Sequence, residues 1–303
     1  MKLHAVIDLG TNTFHLLIAE ERPGFAIHEV YRERQFVKLA EEGIETIGAM
    51  PYRRGLDTLH HYRRVLDEYG IPAAQVRALG TAALRTAGNG QDFLRDVQEQ
   101  TGIAVQLISG DREAELIYKG VILAVPPTEE HMLIMDIGGG SVEFIIADQS
   151  GIYWAQSFPI GVAVLYRRFH RHEPILPEET QQLEAFLSDT LAPLWEKLKT
   201  YPCRRLAGAS GTFDVVADFI GVEGDSALHY VAPATAFFPF QESIVRLTQE
   251  ERHSLPKLPP ERADLIVVAL ILLKAVIRQA GIEEVVASAY AMKEGMLYEM
   301  LFT

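Results

Sequence analysis

Two segments of the chain share a pattern of residue types that is suited to binding phosphate. The first reads Asp-Leu-Gly-Thr-Asn-Thr over 8–13, and the second reads Asp-Ile-Gly-Gly-Gly-Ser over 136–141. In each, an apolar run ends in Asp-x-Gly and another apolar run follows, which predicts a β-hairpin with glycine at the bend. Glycine at such a turn lets successive backbone N–H groups face an anion, and neighbouring carboxylates can hold Mg²⁺. The two segments therefore predict a phosphate cradle with an associated divalent cation.

The predicted phosphate contacts fall in these two turns and in two further turns. Three consecutive glycines beside a strand contribute nothing to packing, so we expect a ligand or another backbone to approach them closely. Arg85 follows a predicted strand, where a guanidinium can clamp a phosphate with two hydrogen bonds, and Gly211 opens a predicted helix whose N-terminus attracts anions. A tight turn without a ligand remains the alternative for each segment taken singly. The full set of expected phosphate contacts is Gly10, Thr11, Asn12, Thr13, Arg85, Gly138, Gly139, Gly140, Ser141, Gly211 and Thr212.

Carboxylates near these turns are the candidates for metal binding and for catalysis. Asp8 and Asp136 each end a strand just before a glycine turn, and on opposite walls of one cleft they would hold Mg²⁺ together with Glu143. Glu143 begins an otherwise apolar strand and stands where the first copy has His15. It therefore either faces a solvated site or lies on an exposed strand face. Glu113 lies in an acidic segment at a predicted helix start, where the helix dipole alone would favour carboxylates.

The two segments belong to a longer internal repeat. Residues 6–20 align with residues 134–148 at a constant offset of 128 without gaps, and each copy is followed by another strand-like stretch, over 25–37 and 152–158. Strands then alternate with helices, which is typical of α/β proteins. The sequence therefore predicts a duplicated α/β protein with a cleft between its halves. We expect further strands over 76–79, 104–108, 205–209 and 285–288, and helices over 54–69, 91–100, 109–125, 177–198, 212–220, 264–279 and 293–301.

The composition argues against several classes of protein. The 303 residues carry 41 acidic side chains against 28 Lys and Arg, and a net charge of −13 argues against a non-specific nucleic-acid binder. A single cysteine excludes an intrachain disulfide and fits a reducing compartment. The start of the chain lacks the apolar core of a signal peptide, and the longest apolar run, 265–273, is too short for a membrane span. We therefore expect a cytoplasmic protein of two domains without a nucleic-acid or membrane partner.

Seven short motifs occur along the chain in a characteristic order. They are DLGTNT (8–13), GTAALR (80–85), ISGDREA (108–114), DIGGGSVE (136–143), SGT (210–212), PERAD (260–264) and KEG (293–295). Together they closely resemble the exopolyphosphatase and guanosine pentaphosphate phosphohydrolase (Ppx-GppA) family over nearly the whole chain. The chain resembles the short form, without the helical C-terminal region of longer relatives.

The resemblance implies a fold and an activity. The fold is the α/β fold of the actin/Hsp70/sugar-kinase ATPases, with two ribonuclease-H-like domains and the site in the interdomain cleft. The first domain is expected over 1–125, with a last helix (289–303) that returns to it, and the second over 126–288. The implied activity is hydrolysis of a terminal phosphoanhydride, with Mg²⁺ as cofactor and inorganic polyphosphate or guanosine penta- or tetraphosphate as substrate or ligand. The resemblance is compatible with a homodimer.

Matched by motif, Glu113 resembles the family's water-activating base and Glu143 the second catalytic carboxylate. Asp136 resembles the metal-associated aspartate, and Arg85 resembles a phosphate-contacting arginine. Four positions depart from the family pattern and leave open how a long substrate is held: Arg112, Glu115, Val164 and Lys293. Two other functions also stay open, namely a catalytically weak sensor of polyphosphate or (p)ppGpp and an ATP-dependent kinase of the same fold.

Overall fold

Two mixed β-sheets flanked by helices form the protein, which is the α/β class predicted from the sequence. The computed structural model describes residues 2–22, 26–224 and 226–302. The chain divides into two compact units. The first unit contains the chain up to Gly120, together with Gly138–Gly140 and the chain from Met292 onward, and the second contains Val121–Ile137 and Ser141–Ala291. Among the helices of the described residues, none combines the length and apolar composition that a membrane span requires.

The first unit is built on a five-stranded sheet. Its strands are β1 (Leu3–Leu9), β2 (Thr13–Arg22), β3 (Ala26–Phe36), β4 (Val76–Gly80) and β5 (Val105–Leu107), and its helices are α1 (Ala49–Glu68), α2 (Ala82–Thr86), α3 (Gly90–Thr101), α4 (Gly110–Ala124) and α13 (Met292–Phe302). The strand order is β3-β2-β1-β4-β5. β2 is antiparallel to its neighbours β1 and β3, whereas β4 and β5 run parallel to β1. The buried centre of β1, Ala5 to Ile7, suits a strand that is covered on both faces.

The second unit is built on a seven-stranded sheet. Its strands are β6 (Met132–Ile137), β7 (Val142–Asp148), β8 (Gly151–Phe158), β9 (Arg205–Ala209), β10 (Val222–Glu223), β11 (His229–Pro233) and β12 (Glu284–Ser288). Its helices are α5 (Val162–Phe169), α6 (Pro177–Thr190), α7 (Ala192–Thr200), α8 (Gly211–Ile220), α9 (Ala234–Val245), α10 (Gln249–His253), α11 (Pro260–Ala263) and α12 (Ile266–Ala280). The strand order is β10-β11-β12-β9-β6-β7-β8.

The two sheets repeat one arrangement of strands. β8-β7-β6-β9-β12 has the same order and the same directions as β3-β2-β1-β4-β5, with two antiparallel and two parallel pairings. The internal repeat in the sequence corresponds to β1 and β2 in one unit and to β6 and β7 in the other. The duplicated ribonuclease-H-like fold predicted from the sequence is thereby confirmed.

Several predicted elements differ from the observed ones. The helix predicted over 177–198 is two helices, α6 and α7, that meet at Leu191. Pro193 lies in the first turn of α7, where proline is tolerated, whereas in the middle of one long helix it would lose a hydrogen bond and clash with the carbonyl four residues earlier. The strand predicted over 25–37 is β3, and its predicted first residue, Phe25, lies outside the described residues.

A buried ion cluster fixes the last helix in the first unit. α13 lies against β1, β2 and β3, and Glu299 on α13 accepts hydrogen bonds from Arg77 at 2.9 Å and Lys119 at 2.5 Å. Arg112 on α4 also donates to Glu299. Burial alone would raise the pKa of Glu299, but the hydrogen bonds from Lys119, Arg112 and Arg77 outweigh it and lower the pKa to about 2. The ionised carboxylate therefore stabilises the folded state.

We expect Glu299→Gln to destabilise the protein in a pH-dependent way. Because the folded-state pKa is depressed, the stabilisation is complete above the ordinary pKa of 4.5 and is lost as the pH falls towards about 2. At pH 7 the variant should lose roughly 1–3 kcal/mol of unfolding free energy. This difference in unfolding free energy between the wild type and the variant should become smaller below pH 4.5. Urea denaturation between pH 7 and pH 3 measures this difference. Glu115→Gln is the control, because Glu115 is an exposed ion-pair partner of Arg112. A difference in unfolding free energy between the wild type and Glu299→Gln that does not change with pH would contradict the assignment.

Candidate active site

The turn between β1 and β2 is tied down by backbone hydrogen bonds. Gly10 N donates to Thr13 O at 3.0 Å, and the carbonyls of Thr11 and Asn12 accept hydrogen bonds from the chain that follows β3. The Thr11 hydroxyl accepts from Ala83 N at 3.2 Å, at the start of α2. The turn is thus held to α2 and to the segment after β3, so its backbone groups have set positions.

The glycines of the second predicted turn lie against this first turn, within the first unit. A Cβ atom on Gly139 would lie 2.6 Å from Asn12 Cγ, and one on Gly140 would lie 2.7 Å from Thr11 Oγ1 and 2.9 Å from Ile44 Cδ1. Distances below 3.0 Å are closer than a methyl carbon tolerates, so a side chain at Gly139 would displace the Asn12 side chain, and one at Gly140 would crowd Thr11 and Ile44. The structure therefore brings together the two glycine turns that the sequence predicts as a phosphate cradle.

Arg85 and Glu113 form a second feature of the first unit. Arg85, on α2, donates from Nη1 to Ile108 O at 2.6 Å, and the same nitrogen lies 3.8 Å from Glu113 Oε2. Glu113 is in the first turn of α4 and is 8% exposed. The Ser109 hydroxyl accepts from Arg112 N at 3.2 Å and caps this helix, as predicted. Asp111 and Glu115 in the same segment are exposed, so Glu113 is the one buried acid at the start of α4.

Asp8 at the end of β1 is half-buried among charged groups. Burial raises its pKa to about 7, with Lys293 acting to lower the pKa and Glu294 to raise it. Lys293 Nζ lies 3.3 Å from Glu294 Oε2, and Arg32 donates to Glu294 Oε1 at 2.9 Å. A nearby cation would favour the ionised form of this carboxyl.

Asp136, Glu143 and Ser157 lie in one cross-strand row of the second unit. Asp136 on β6 is the register partner of Glu143 on β7, and Glu143 is in turn the partner of Ser157 on β8. Ser157 Oγ donates to Glu143 Oε1 at 2.7 Å. Glu143 is 2% exposed, so both predicted alternatives are wrong: the side chain lies neither on an exposed strand face nor in a solvated site. Sequence reasoning missed Ser157, because hydrophobic alternation does not reveal which residues of neighbouring strands are partners.

An arginine side chain from another helix, which sequence reasoning also missed, lies against the turn before α8. The Ser210 hydroxyl exchanges hydrogen bonds with the backbone of Ile137 at 3.2 and 3.3 Å, which connects this turn to the end of β6. A Cβ atom on Gly211 would lie 1.1 Å from Arg262 Nη1, so the guanidinium covers the start of the helix. Arg262 also donates to Asp214 Oδ2 at 3.1 Å. The glycine in the SGT motif is the signal that could have indicated such a close approach.

The departures from the family pattern have distinct surroundings. Arg112 pairs with Glu299 and with Glu115 at 2.7 Å, so it serves to anchor α13. Lys293 is buried beside Glu294, whereas Val164 is half-buried on α5.

Among the described residues, no three His, Cys, Asp or Glu side chains form a group that could hold a metal ion. Mg²⁺ is commonly held by one or two carboxylates, with substrate phosphates and water completing its shell. Asp136 and Glu143 are directly opposite in register, where two like charges repel unless a cation or a proton intervenes. This pair therefore fits Mg²⁺ as a two-carboxylate site.

Comparison with known proteins identifies the family. A family model described as the Ppx/GppA phosphatase family matches residues 17–303. The crystal structure of an exopolyphosphatase from Cytophaga hutchinsonii aligns with a TM-score of 0.93 and 36% identity, covering 99% of this chain and 98% of that chain. The PPX-GPPA enzyme of Aquifex aeolicus shares the fold, with a TM-score of 0.80 at 22% identity and coverage of 98% and 99%. With the family model and the Cytophaga relative both spanning nearly all of its length, the chain belongs to the Ppx/GppA phosphatase family.

Proposed function

We propose that the protein is a Mg²⁺-dependent phosphoanhydride hydrolase that releases the terminal phosphate of inorganic polyphosphate or pppGpp. The observation that carries this proposal is the contact between the two glycine turns, at Gly139 with Asn12 and at Gly140 with Thr11. The similarity to the Cytophaga exopolyphosphatase favours polyphosphate as the substrate class. We further propose that the protein works in the cytoplasm without nucleic acid, since its net charge is −13 and its one cysteine is buried.

Phosphate binding is assigned to the backbone of the two turns and to Arg85. Amide N–H groups at glycine turns form concave sites for anions, and donors held in place before the reaction stabilise the charge that develops on the equatorial oxygens. The Arg85 guanidinium is already oriented by Ile108 O. It supplies positive charge beside the cradle.

Glu113 is assigned as the general base. It is buried at the start of α4, and Arg85 Nη1 lies 3.8 Å from its carboxylate. A guanidinium at that distance favours the ionised carboxylate, which is the form that accepts a proton. In the proposed reaction Glu113 takes a proton from water, the water oxygen attacks the terminal phosphorus, and the bond to the bridging oxygen breaks. The leaving group is a phosphate oxyanion, so a strong general acid is not needed.

Asp136 and Glu143 are assigned to the divalent cation. They are register partners on β6 and β7, and Glu143 is buried, so a cation between them would relieve their repulsion. When bound, Mg²⁺ would neutralise charge on the phosphate oxygens. Asp8 as a third ligand, together with Ser141, Gly211 and Thr212 as phosphate contacts, stays a prediction from the sequence.

Parallel assays separate this proposal from its two alternatives. Phosphate release is measured with polyphosphate, pppGpp and ATP, each with and without Mg²⁺. A hydrolase releases phosphate without an acceptor, and the release depends on Mg²⁺. Binding of polyphosphate or pppGpp without turnover would instead favour the sensor, and transfer from ATP to an acceptor would favour the kinase. Light scattering of the same samples tests whether the protein is a monomer or a homodimer.

We expect Glu113→Gln to bind substrate but to hydrolyse it about 10²–10⁴ times more slowly, because a general base contributes that much to the rate. Single-turnover phosphate release measures the chemical step, and calorimetry measures polyphosphate affinity. Asp111→Asn and Glu115→Gln are matched controls, since both acids lie in the same helix start but are exposed. Equal loss in all three variants, or full activity in Glu113→Gln, would place the base elsewhere.

We expect Gly140→Ala to weaken phosphate binding, because its new methyl group would lie 2.7 Å from Thr11 Oγ1 and 3.1 Å from Ala82 Cβ. The side chains of Thr11 and Ile44 or the turn itself must shift to make room, at a cost of about 1–3 kcal/mol. Product inhibition by inorganic phosphate reports the change in affinity. Gly88→Ala is the control, since the nearest atom to its new methyl group is Glu45 O at 3.8 Å. If both variants bind phosphate like the wild type, the turns do not form the cradle.

A further inference from the structure

The row formed by Asp136, Glu143 and Ser157 spans three neighbouring strands. Direct register partners in a sheet point to the same face, so the three side chains share one face of the second sheet. Glu143 occupies the centre of the row, with a carboxylate on one side and a hydroxyl on the other. The two neighbours therefore act on the same glutamate from opposite directions.

Repulsion within the row would disturb the orientation of Glu143. Side chains that face each other across an antiparallel pair have Cβ atoms about 4.5–5.5 Å apart, and like charges at that distance are destabilising. Glu143 is 2% exposed, so bulk water screens this repulsion little. A glutamate has several rotatable bonds, so a further contact to one of its oxygens restricts the orientations that its carboxylate can adopt.

Ser157 supplies that further contact. Its hydroxyl donates to Glu143 Oε1 at 2.7 Å, which is a normal length for a strong O–H···O hydrogen bond to a charged acceptor. The donor is on β8, on the side of β7 away from Asp136. It thus holds one oxygen of Glu143 and restricts rotation of the carboxylate.

We propose that Ser157 is a positioning residue: its hydroxyl holds the Glu143 carboxylate in the orientation in which Glu143 and Asp136 bind the cation and serve the reaction. This inference rests on the proposed function and adds to it a residue outside the seven motifs. Partners that orient a metal-binding carboxylate typically contribute 10–100-fold to metal affinity or to activity. The proposal concerns the hydroxyl of Ser157, because this group donates to Glu143 Oε1.

Three variants separate the hydroxyl from the shape of the side chain. Ser157→Ala removes the donor, whereas Ser157→Thr keeps it and places a β-branched residue in a strand, where such residues are favoured. Gln156→Ala is the matched control. Gln156 is the neighbouring residue on β8, has Phe144 as its register partner and points to the other face of the sheet.

Kinetics with polyphosphate and calorimetry with Mn²⁺ give two independent readouts. We expect Ser157→Ala to lower kcat about 10–100-fold with KM within twofold of wild type, and to weaken Mn²⁺ binding about tenfold. Ser157→Thr and Gln156→Ala should match the wild type within about threefold in both measurements. All four proteins should unfold within a few degrees of one another, which separates orientation of the carboxylate from loss of the fold.

The outcomes distinguish a failure of this inference from a failure of the proposed function. Wild-type kcat and Mn²⁺ affinity in Ser157→Ala would overturn the inference, as would equal losses in Ser157→Ala and Ser157→Thr. If the wild type releases no phosphate, the proposed function fails, and the Mn²⁺ comparison alone then decides the role of Ser157. A wild type with neither phosphate release nor Mn²⁺ binding overturns both.

Discussion

The candidate site depends on the close approach of two backbone turns that leaves no room for side chains. Gly139 lies against Asn12, and Gly140 lies against the Thr11 hydroxyl. That hydroxyl is itself bound by Ala83 N at the start of α2, so the turns and the helix that carries Arg85 are fixed together. A larger side chain at either glycine would crowd these contacts.

The buried carboxylates impose a second constraint, because the negative charge of each one must be balanced by a nearby cation or hydrogen-bond donor. Arg85 lies near Glu113, Ser157 donates to Glu143, and three cations surround Glu299. Asp8 is the exception, since burial raises its pKa to about 7 despite Lys293. Removing one partner of such a buried pair leaves an uncompensated charge and destabilises the fold.

Much of the architecture can be predicted from the sequence because it is encoded locally. The gapless repeat identifies β1 and β2 as the counterparts of β6 and β7, and the apolar runs and glycine turns give most strands and helices to within a few residues. The family follows from short ordered motifs. Local signals were weaker where helices are short or interrupted, as at the break between α6 and α7 and in the stretch from β10 to α10, for which no element was predicted.

The residues that were missed act over long distances in the sequence. Ser157 reaches Glu143 through strand register, Arg262 covers Gly211 from a separate helix, and Glu299 gathers cations from β4 and α4. None of these pairings leaves a periodic trace in the sequence. They require the fold to be known, since a serine, an arginine and a glutamate at these positions are individually unremarkable.

Hydrolysis of polyphosphate in ¹⁸O-labelled water tests the central proposal most directly. If water attacks the terminal phosphorus, each phosphate released by the wild type carries one ¹⁸O atom, and the shortened chains carry none, because the bond to the bridging oxygen breaks on the side of the released phosphate. Mass spectrometry of both products gives the distribution. Released phosphate without ¹⁸O, or label found in the remaining chain, would contradict attack by water at the terminal phosphorus.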